Sequence, residues 1–351
     1  MSPKFRGDSS DWLDDEESST SGARATRPGR AKKGNAQTID PSEANAVVAE
    51  VFPNQCRVRL NPDARPSEDL IEILCSYRRA GVINQSGTKA GNKERSPVAV
   101  GDRVKVSVNP DKSGLVQGVC ERRNFLARPA PGRDAKNVHV VAANLDLLVI
   151  VASVNSPEFS PGLIDRYLVA AGAAGIQPLL CVTKVDLLAS DLTSARPWNI
   201  YRDIGIHTIE SSAKRGVGLD LLLKELVGKV VVFCGHSGVG KTSLLRGLLG
   251  SDVGRVGELS SSTGKGRHTT TGAILLNGPD KSEWIDTPGI REFGISEVKP
   301  ESLASFFPEL LSLECGQKGC LHAGEEHCQA IGLPRYTSYR RIFESLRAGE
   351  N

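Results

Sequence analysis

One run of residues constrains this chain more than any other: Gly235, His236, Ser237, Gly238, Val239, Gly240, Lys241, Thr242 and Ser243. An apolar stretch, 229–234, precedes it, and a helix-like one, 244–249, follows. Strand, Gly-rich turn and helix in that order let successive backbone N–H groups face inward on an anion, with the positive end of the helix dipole behind them. Lys241 adds a mobile charge suited to the β and γ groups of a nucleotide, and Thr242 a hydroxyl suited to Mg²⁺. A Gly-rich chain can produce such spacing by chance, but the flanking strand and helix are the context the chemistry requires. The run therefore implies a nucleoside triphosphate site in an α/β fold.

The surrounding texture agrees. Apolar strands at 145–154, 178–182 and 229–235 alternate with helical patterns at 161–174 and 219–227, which indicates a parallel sheet with helices on both faces. Before it lie short β-rich pieces at 46–52, 55–60, 70–75, 104–108 and 115–120, separated by turn signals. Five strands of that length suit a small OB-type barrel, a fold that often presents a face to RNA without establishing that function. The stretch 86–95 carries Lys89, Lys93 and Arg95 among Gly, Asn and Ser, which reads as a solvated loop or as one that contacts phosphates. Helical segments at 302–313 and 336–346 bracket a Cys/His cluster and form a third, small unit. The expected divisions are a tail at 1–43, a barrel at 44–125, the nucleotide domain at 126–297 and the Cys/His module at 298–351.

Charge narrows the choice of partners only a little. A net charge of +3 permits a nucleic-acid partner without demanding one. Acidic residues dominate 11–17, and Arg24, Arg27, Arg30, Lys32 and Lys33 follow without apolar periodicity, so the tail is expected to be disordered. No apolar run reaches the roughly 18 residues of a membrane span, and the amino terminus lacks the apolar core of a secretory signal. A cytoplasmic protein is expected, and the absence of long heptads favours a monomer.

A phosphate loop does not choose between bases. Thr183, Lys184, Val185 and Asp186 can, because they stand at the end of a buried strand, where an α/β sheet presents its ligands. The Asp186 carboxylate can accept both donors of the guanine edge, while the stem of Lys184 covers the base. Adenine would leave that carboxylate unpaired. Ser211, Ser212, Ala213 and Lys214, after the strand-like 205–210, can place a backbone N–H against guanine O6. Downstream, Asp286, Thr287, Pro288 and Gly289 follow another strand; there the Asp serves Mg²⁺ and the Gly amide senses the γ-phosphate. Thr269 or Thr270, in the Gly-rich stretch 264–271, is placed to complete the Mg²⁺ shell. The guanine-reading elements precede the phosphate loop, the reverse of the Ras-like order, and a circular permutation accounts for it.

Cys315, Cys320 and Cys328, with His322 or His327, supply three thiolates and an imidazole, a set suited to a closed, structural, tetrahedral Zn²⁺ site. A disulfide would strand one of the three. Cys56, Cys75, Cys120, Cys181 and Cys234 are scattered and read as small buried hydrophobes.

The permuted order, with a barrel before it and a Cys/His module after it, resembles the ribosome small-subunit-dependent GTPase A family, known as RsgA or YjeQ, over about residues 45–346. The resemblance implies a three-domain, circularly permuted GTPase that hydrolyses GTP to GDP and phosphate with Mg²⁺. It further implies binding to the small ribosomal subunit and its rRNA late in maturation, slow turnover stimulated by that subunit, and release after hydrolysis. It selects His322 as the fourth zinc ligand. The residue after Gly289 is Ile290, where Ras-like enzymes carry a water-orienting Gln; the resemblance assigns that role to His268. One departure is Thr183, where the family usually has Asn, and this points to weaker nucleotide binding. The alternatives are a P-loop metabolic kinase or ATPase with a structural zinc module, and a tRNA-modification or translation GTPase.

Overall fold

The computed structural model describes residues 39–60, 71–77, 93–94, 97–129, 137–188, 196–250, 272–287, 293–295 and 297–349. Of the expected tail only 39–43 falls within these residues. There Ile39 bridges to Cys120, and Asp40 caps a short 3-10 turn, Pro41–Glu43. Most of the basic stretch 86–95 lies outside them.

The amino-terminal strands are β1 (Ala46–Phe52), β2 (Gln55–Leu60), β3 (Glu72–Ser76), β4 (Lys93–Glu94), β5 (Arg103–Val108) and β6 (Gly114–Val119). Five of them close a barrel in the order β1-β2-β3-β6-β5 and back to β1, with β3 and β6 parallel and the other pairs antiparallel. Alternation along each strand turns Val48, Val58, Cys75 and Val106 inward to a common core. The barrel tolerates no side chain at Gly114, where a Cβ would stand 2.4 Å from Cys75 Sγ.

A hairpin follows, β7 (Phe125–Pro129) and β8 (Asn137–Ala143), with β4 parallel to β8. The hairpin carries no strand signal in the sequence, because the run from Pro129 to Gly132 has the punctuation of a loop.

The nucleotide domain is built on β9 (Leu147–Ser153), β10 (Gln177–Thr183), β11 (Thr208–Glu210), β12 (Val230–Cys234), β13 (Ile274–Asn277) and β14 (Glu283–Asp286). Their order is β11-β10-β9-β12-β14-β13, all parallel except β13. Every residue of β9 is buried, as an unbroken apolar run demands. Leu148, Ile150 and Ala152 face α1 (Pro161–Ala174) and α2 (Asn199–Asp203). Leu147, Val149 and Val151 face α3 (Leu219–Leu226) and α4 (Lys241–Leu249) on the other side. Helices thus cover both faces of a parallel sheet, as the sequence pattern implied.

Barrel and sheet are hydrogen-bonded to each other. β1 runs antiparallel to β13, with Glu50 opposite Ile274. Buried Arg59 of β2 reinforces the junction, donating at 3.4 Å to both Glu283 Oε1 and the Leu275 carbonyl.

In the carboxy-terminal module the expected helix at 302–313 is broken. Pro300–Phe306 forms a 3-10 helix and α5 covers only Pro308–Leu311. Pro308 lacks an N–H and forces Phe307 out of the helical region, to φ −122° and ψ 89°. The last helix, α6 (Tyr336–Ala348), buries Tyr339, Ile342, Phe343 and Leu346 on one stripe, and these join the same apolar cluster as α1. Among the described residues no helix is long and apolar enough to cross a membrane.

Candidate nucleotide site and metal centre

Because β9, β10, β11, β12 and β14 run parallel, their carboxyl ends share one edge, and the expected motifs fall there. Gly235 leaves β12 so close to β9 that a Cβ would stand 2.3 Å from the Val151 carbonyl oxygen. Gly240 caps α4 with φ 94°, a left-handed turn that aims the free N–H groups of the helix into the loop.

Lys241 folds back over that loop. Its Nζ donates to the Thr287 carbonyl at 2.9 Å and stands 3.6 Å from Asp286 Oδ1. The Thr287 hydroxyl donates to the Phe233 carbonyl at 2.8 Å, pinning the segment after β14 to the strand before the phosphate loop. The tie has no mark in the sequence, since a Thr hydroxyl has no signature of its own. Burial pushes the Asp286 carboxyl up, against the pull of the Lys241 ammonium. Among the described residues, buried Asp286 Oδ1 accepts no hydrogen bond, the Lys241 ammonium standing off at 3.6 Å. A buried carboxylate oxygen in that state suits a hard cation, and Thr242 is exposed nearby at the head of α4.

The elements expected to read guanine meet the same loop. Thr183 ends β10, and its hydroxyl approaches the carbonyls of Ala152 and Val239. Lys184 takes a left-handed conformation, φ 61°, and starts the short 3-10 turn Val185–Leu187 that carries Asp186. Its Nζ donates to the Gly238 carbonyl at 2.7 Å and to that of Ser156. Asp186 accepts a hydrogen bond from Ser212 Oγ at 2.5 Å, which holds its carboxyl below the ordinary range. Ser212 itself sits in a closed turn, paired with Val217 in both directions. Gly218 is obligatory behind this turn, because a Cβ there would stand 2.1 Å from the Glu210 carbonyl oxygen. Together these residues enclose a cavity of about 260 Å³ lined by Thr183, Lys184, Asp186, Ala213, Lys214 and Gly240, with Leu187, Ser243 and Leu244 completing the wall. Ala213 and Lys214 stand in that wall as the sequence implies, whereas Leu187 and Leu244 carry no motif that marks them. His268, Thr269, Thr270 and Gly289 lie outside the described residues.

The Cys/His atoms converge from turns. His322 is buried with φ 55°, and its Nδ1 lies 3.5 Å from Cys315 Sγ, 3.6 Å from Cys320 Sγ and 3.4 Å from Cys328 Sγ. Cys315 and Cys328 Sγ are 4.0 Å apart. Zn–S bonds of about 2.3 Å give tetrahedral edges of roughly 3.8 Å, so the spacing and soft donors fit Zn²⁺. His327 points away, its side chain 85% exposed. Glu325 accepts from the Leu321 and Ala323 amides at 2.9 and 2.6 Å, and the Tyr339 hydroxyl donates to the Leu321 carbonyl, fixing the turn that carries His322.

A phosphate loop on the carboxyl edge of a parallel sheet, with the Thr183–Asp186 tetrad on the same edge but earlier in the chain, defines a circularly permuted P-loop GTPase fold. The chain belongs to the RsgA GTPase family, which it matches over residues 119–296. It is 35% identical to small ribosomal subunit biogenesis GTPase RsgA 2 of Bacteroides thetaiotaomicron over 74% of this chain and 87% of that one. It is also 35% identical to small ribosomal subunit biogenesis GTPase RsgA of Pseudomonas syringae pv. tomato over 93% of both. Among solved structures, YjeQ from Thermotoga maritima is similar at a TM-score of 0.61 and 27% identity, covering 87% of this chain and 98% of that one. YloQ, described as a circularly permuted GTPase, is similar at 0.57 and 27% identity, covering 86% and 94%. Membership of a GTPase family sets aside the metabolic kinase or ATPase.

Proposed function

We propose that this chain hydrolyses GTP to GDP and phosphate at the edge formed by β9, β10, β11, β12 and β14, and that it acts as a late assembly factor of the small ribosomal subunit. The observation that carries the first part is the pocket where Asp186, Ser212 and the phosphate loop meet. The second part is supported by the names of the relatives and by the coverage of their full length.

In this reading Asp186 accepts the guanine N1–H and amine, Lys184 covers the base, and Ala213 with Lys214 face O6. The backbone from Gly235 to Thr242 and the Lys241 ammonium hold the phosphates. Thr242 and Asp286 hold Mg²⁺, which offsets phosphate charge when bound, and Thr269 or Thr270 joins them from outside the described residues. His268 is a candidate for orienting water. Cys315, Cys320, His322 and Cys328 hold one structural zinc.

Connectivity suggests how the nucleotide is read out. The β13–β14 hairpin carries Asp286 at one end and pairs with barrel strand β1 on its outer side. The chain beyond Gly289 runs on to the 3-10 helix of the zinc module. Loss of the γ-phosphate would therefore be felt by both flanking domains, which are proposed to grip rRNA, in the cytoplasm and as a monomer.

The test is GTP hydrolysis with and without purified small subunits, with large subunits and ATP as controls. Stimulation confined to GTP and small subunits is expected. Equal turnover of ATP would remove the guanine reading, and the absence of any effect of small subunits would redirect the search to a tRNA or translation partner.

A further inference from the structure

Between Asp286 and Gly289, which carry the expected chemistry of their motif, Thr287 is wholly buried. Its hydroxyl donates to the Phe233 carbonyl at 2.8 Å, and its own carbonyl accepts from Lys241 Nζ at 2.9 Å. Phe233 lies opposite Asp286 in the last pair of the β12–β14 ladder. The hydroxyl therefore adds one more tie at the end of that ladder, where β12 gives way to the phosphate loop.

Two charges depend on this tie. The side chains of Lys241 and Asp286 are only 13% and 8% exposed, and Nζ stands 3.6 Å from Oδ1. Burial raises the Asp286 carboxyl, and the Lys241 charge and the Thr287 amide oppose that rise. A backbone shift at 287 would move ammonium and carboxylate relative to each other, in a place where a lost hydrogen bond is not readily replaced by one to water. A methyl in place of the hydroxyl keeps the shape of the side chain but takes that donor from the Phe233 carbonyl.

We propose that Thr287 is a positioning residue for Mg²⁺: its hydroxyl keeps Asp286 and Lys241 in register with the phosphate loop, so that one site holds the cation and the phosphates together. It acts as an outer partner that orients a ligand without touching the cation. Guanine recognition does not pass through it, because none of Phe233, Lys241, Asp286 and Thr287 lines the cavity beside Asp186. The inference rests on the reading of Asp286 as a Mg²⁺ residue.

Release of a fluorescent GDP from the full chain, followed against Mg²⁺ concentration and in EDTA, tests it. Thr287→Val is expected to raise the Mg²⁺ concentration needed for half-maximal retention about 10-fold or more, with release in EDTA unchanged. Thr287→Ser, which keeps the hydroxyl, is expected to restore the wild-type requirement. Thr287→Ala asks the same question without the branched methyl, should the valine variant fail to fold, and is judged by the same comparison of Mg²⁺ with EDTA. A variant without the hydroxyl that keeps the wild-type Mg²⁺ requirement overturns the inference. So does one that releases GDP faster by an equal factor in EDTA, since the hydroxyl then serves the fold alone. A serine variant that behaves like the valine one also overturns it. Wild-type release indifferent to Mg²⁺ overturns the Mg²⁺ reading of Asp286 along with the inference.

Discussion

The nucleotide edge and the zinc module both hold polar groups in fixed positions, but on different foundations. At the nucleotide edge the candidate residues stand at the end of a strand, as Thr183 and Asp286 do, or in the turn or helix that directly follows one, as Asp186, Ser212 and Lys241 do, so the sheet imposes their positions. Behind it, β9 is buried on both faces and Phe233 meets Trp284 edge-on at 5.6 Å. In the zinc module, residues 312–335 contain neither helix nor strand. Their ligand atoms converge from turns, supported from one side by α6 and the 3-10 helix Pro300–Phe306, both packed on α1. The difference teaches that motif geometry can come from a cooperative sheet or from a bound ion plus a single docking surface. The second arrangement should fail locally.

Metal removal should separate the two regions most sharply. With a chelator present, amides of 312–335 are expected to lose protection from hydrogen exchange while β9 and β12 keep theirs; equal loss in both would show that the sheet also depends on the module. The docking surface is next. Arg335 is buried, donates at 2.8 Å to Asp165 and at 3.0 Å to both oxygens of Glu309, and lies over the Phe307 ring at 4.5 Å. Arg335→Ala strands the buried Asp165 and should cost about 3–5 kcal/mol in thermal unfolding. Adding Asp165→Leu should restore much of it, which separates a stranded charge from lost packing.

On the nucleotide side, Asp186→Asn should weaken GTP binding about 100-fold or more and favour xanthosine triphosphate, with stability unchanged; titration with both nucleotides decides it. A smaller gain is expected from Thr183→Asn. The Thr183 hydroxyl has one proton for two carbonyls, of Ala152 and Val239, whereas an amide has two. Tighter tethering of the loop should bring about 0.5–1.5 kcal/mol, read as slower GDP release.

The smallest effect concerns acid. Burial pushes Glu210 up, but hydrogen bonds from Trp198 and Arg202, with the charges of Arg196 and Arg202, leave it below its ordinary range. As pH falls, the unfolded chain takes up this proton before the folded one does. The contribution to stability is therefore complete above the ordinary glutamate range and is lost as pH falls through the depressed folded value. Glu210→Gln should flatten that limb of the unfolding midpoint against pH.

Where chemistry depends on a few adjacent residues, it was legible in the chain. The phosphate loop, the tetrad at Thr183 and the Cys/His spacing each announce themselves because glycines, a lysine or thiols must stand close together to work. The hairpin β7–β8 was not legible, and neither was the break at Pro308, whose effect on Phe307 depends on the fold around it. The Arg335–Asp165 pair joins residues 170 apart in the chain, so no window of sequence contains it.

By itself, then, the sequence determined the alternation of strands and helices, the permuted order of the motifs and the donor set for a metal, because periodicity and side-chain chemistry act over a few residues. Tertiary structure alone decided that the barrel closes on β1 and joins the sheet through Glu50 and Ile274, that His322 turns inward through Nδ1 while His327 faces solvent, and that α6 lies against α1. Each of these depends on which distant surfaces bury one another, a long-range competition that local pattern does not record.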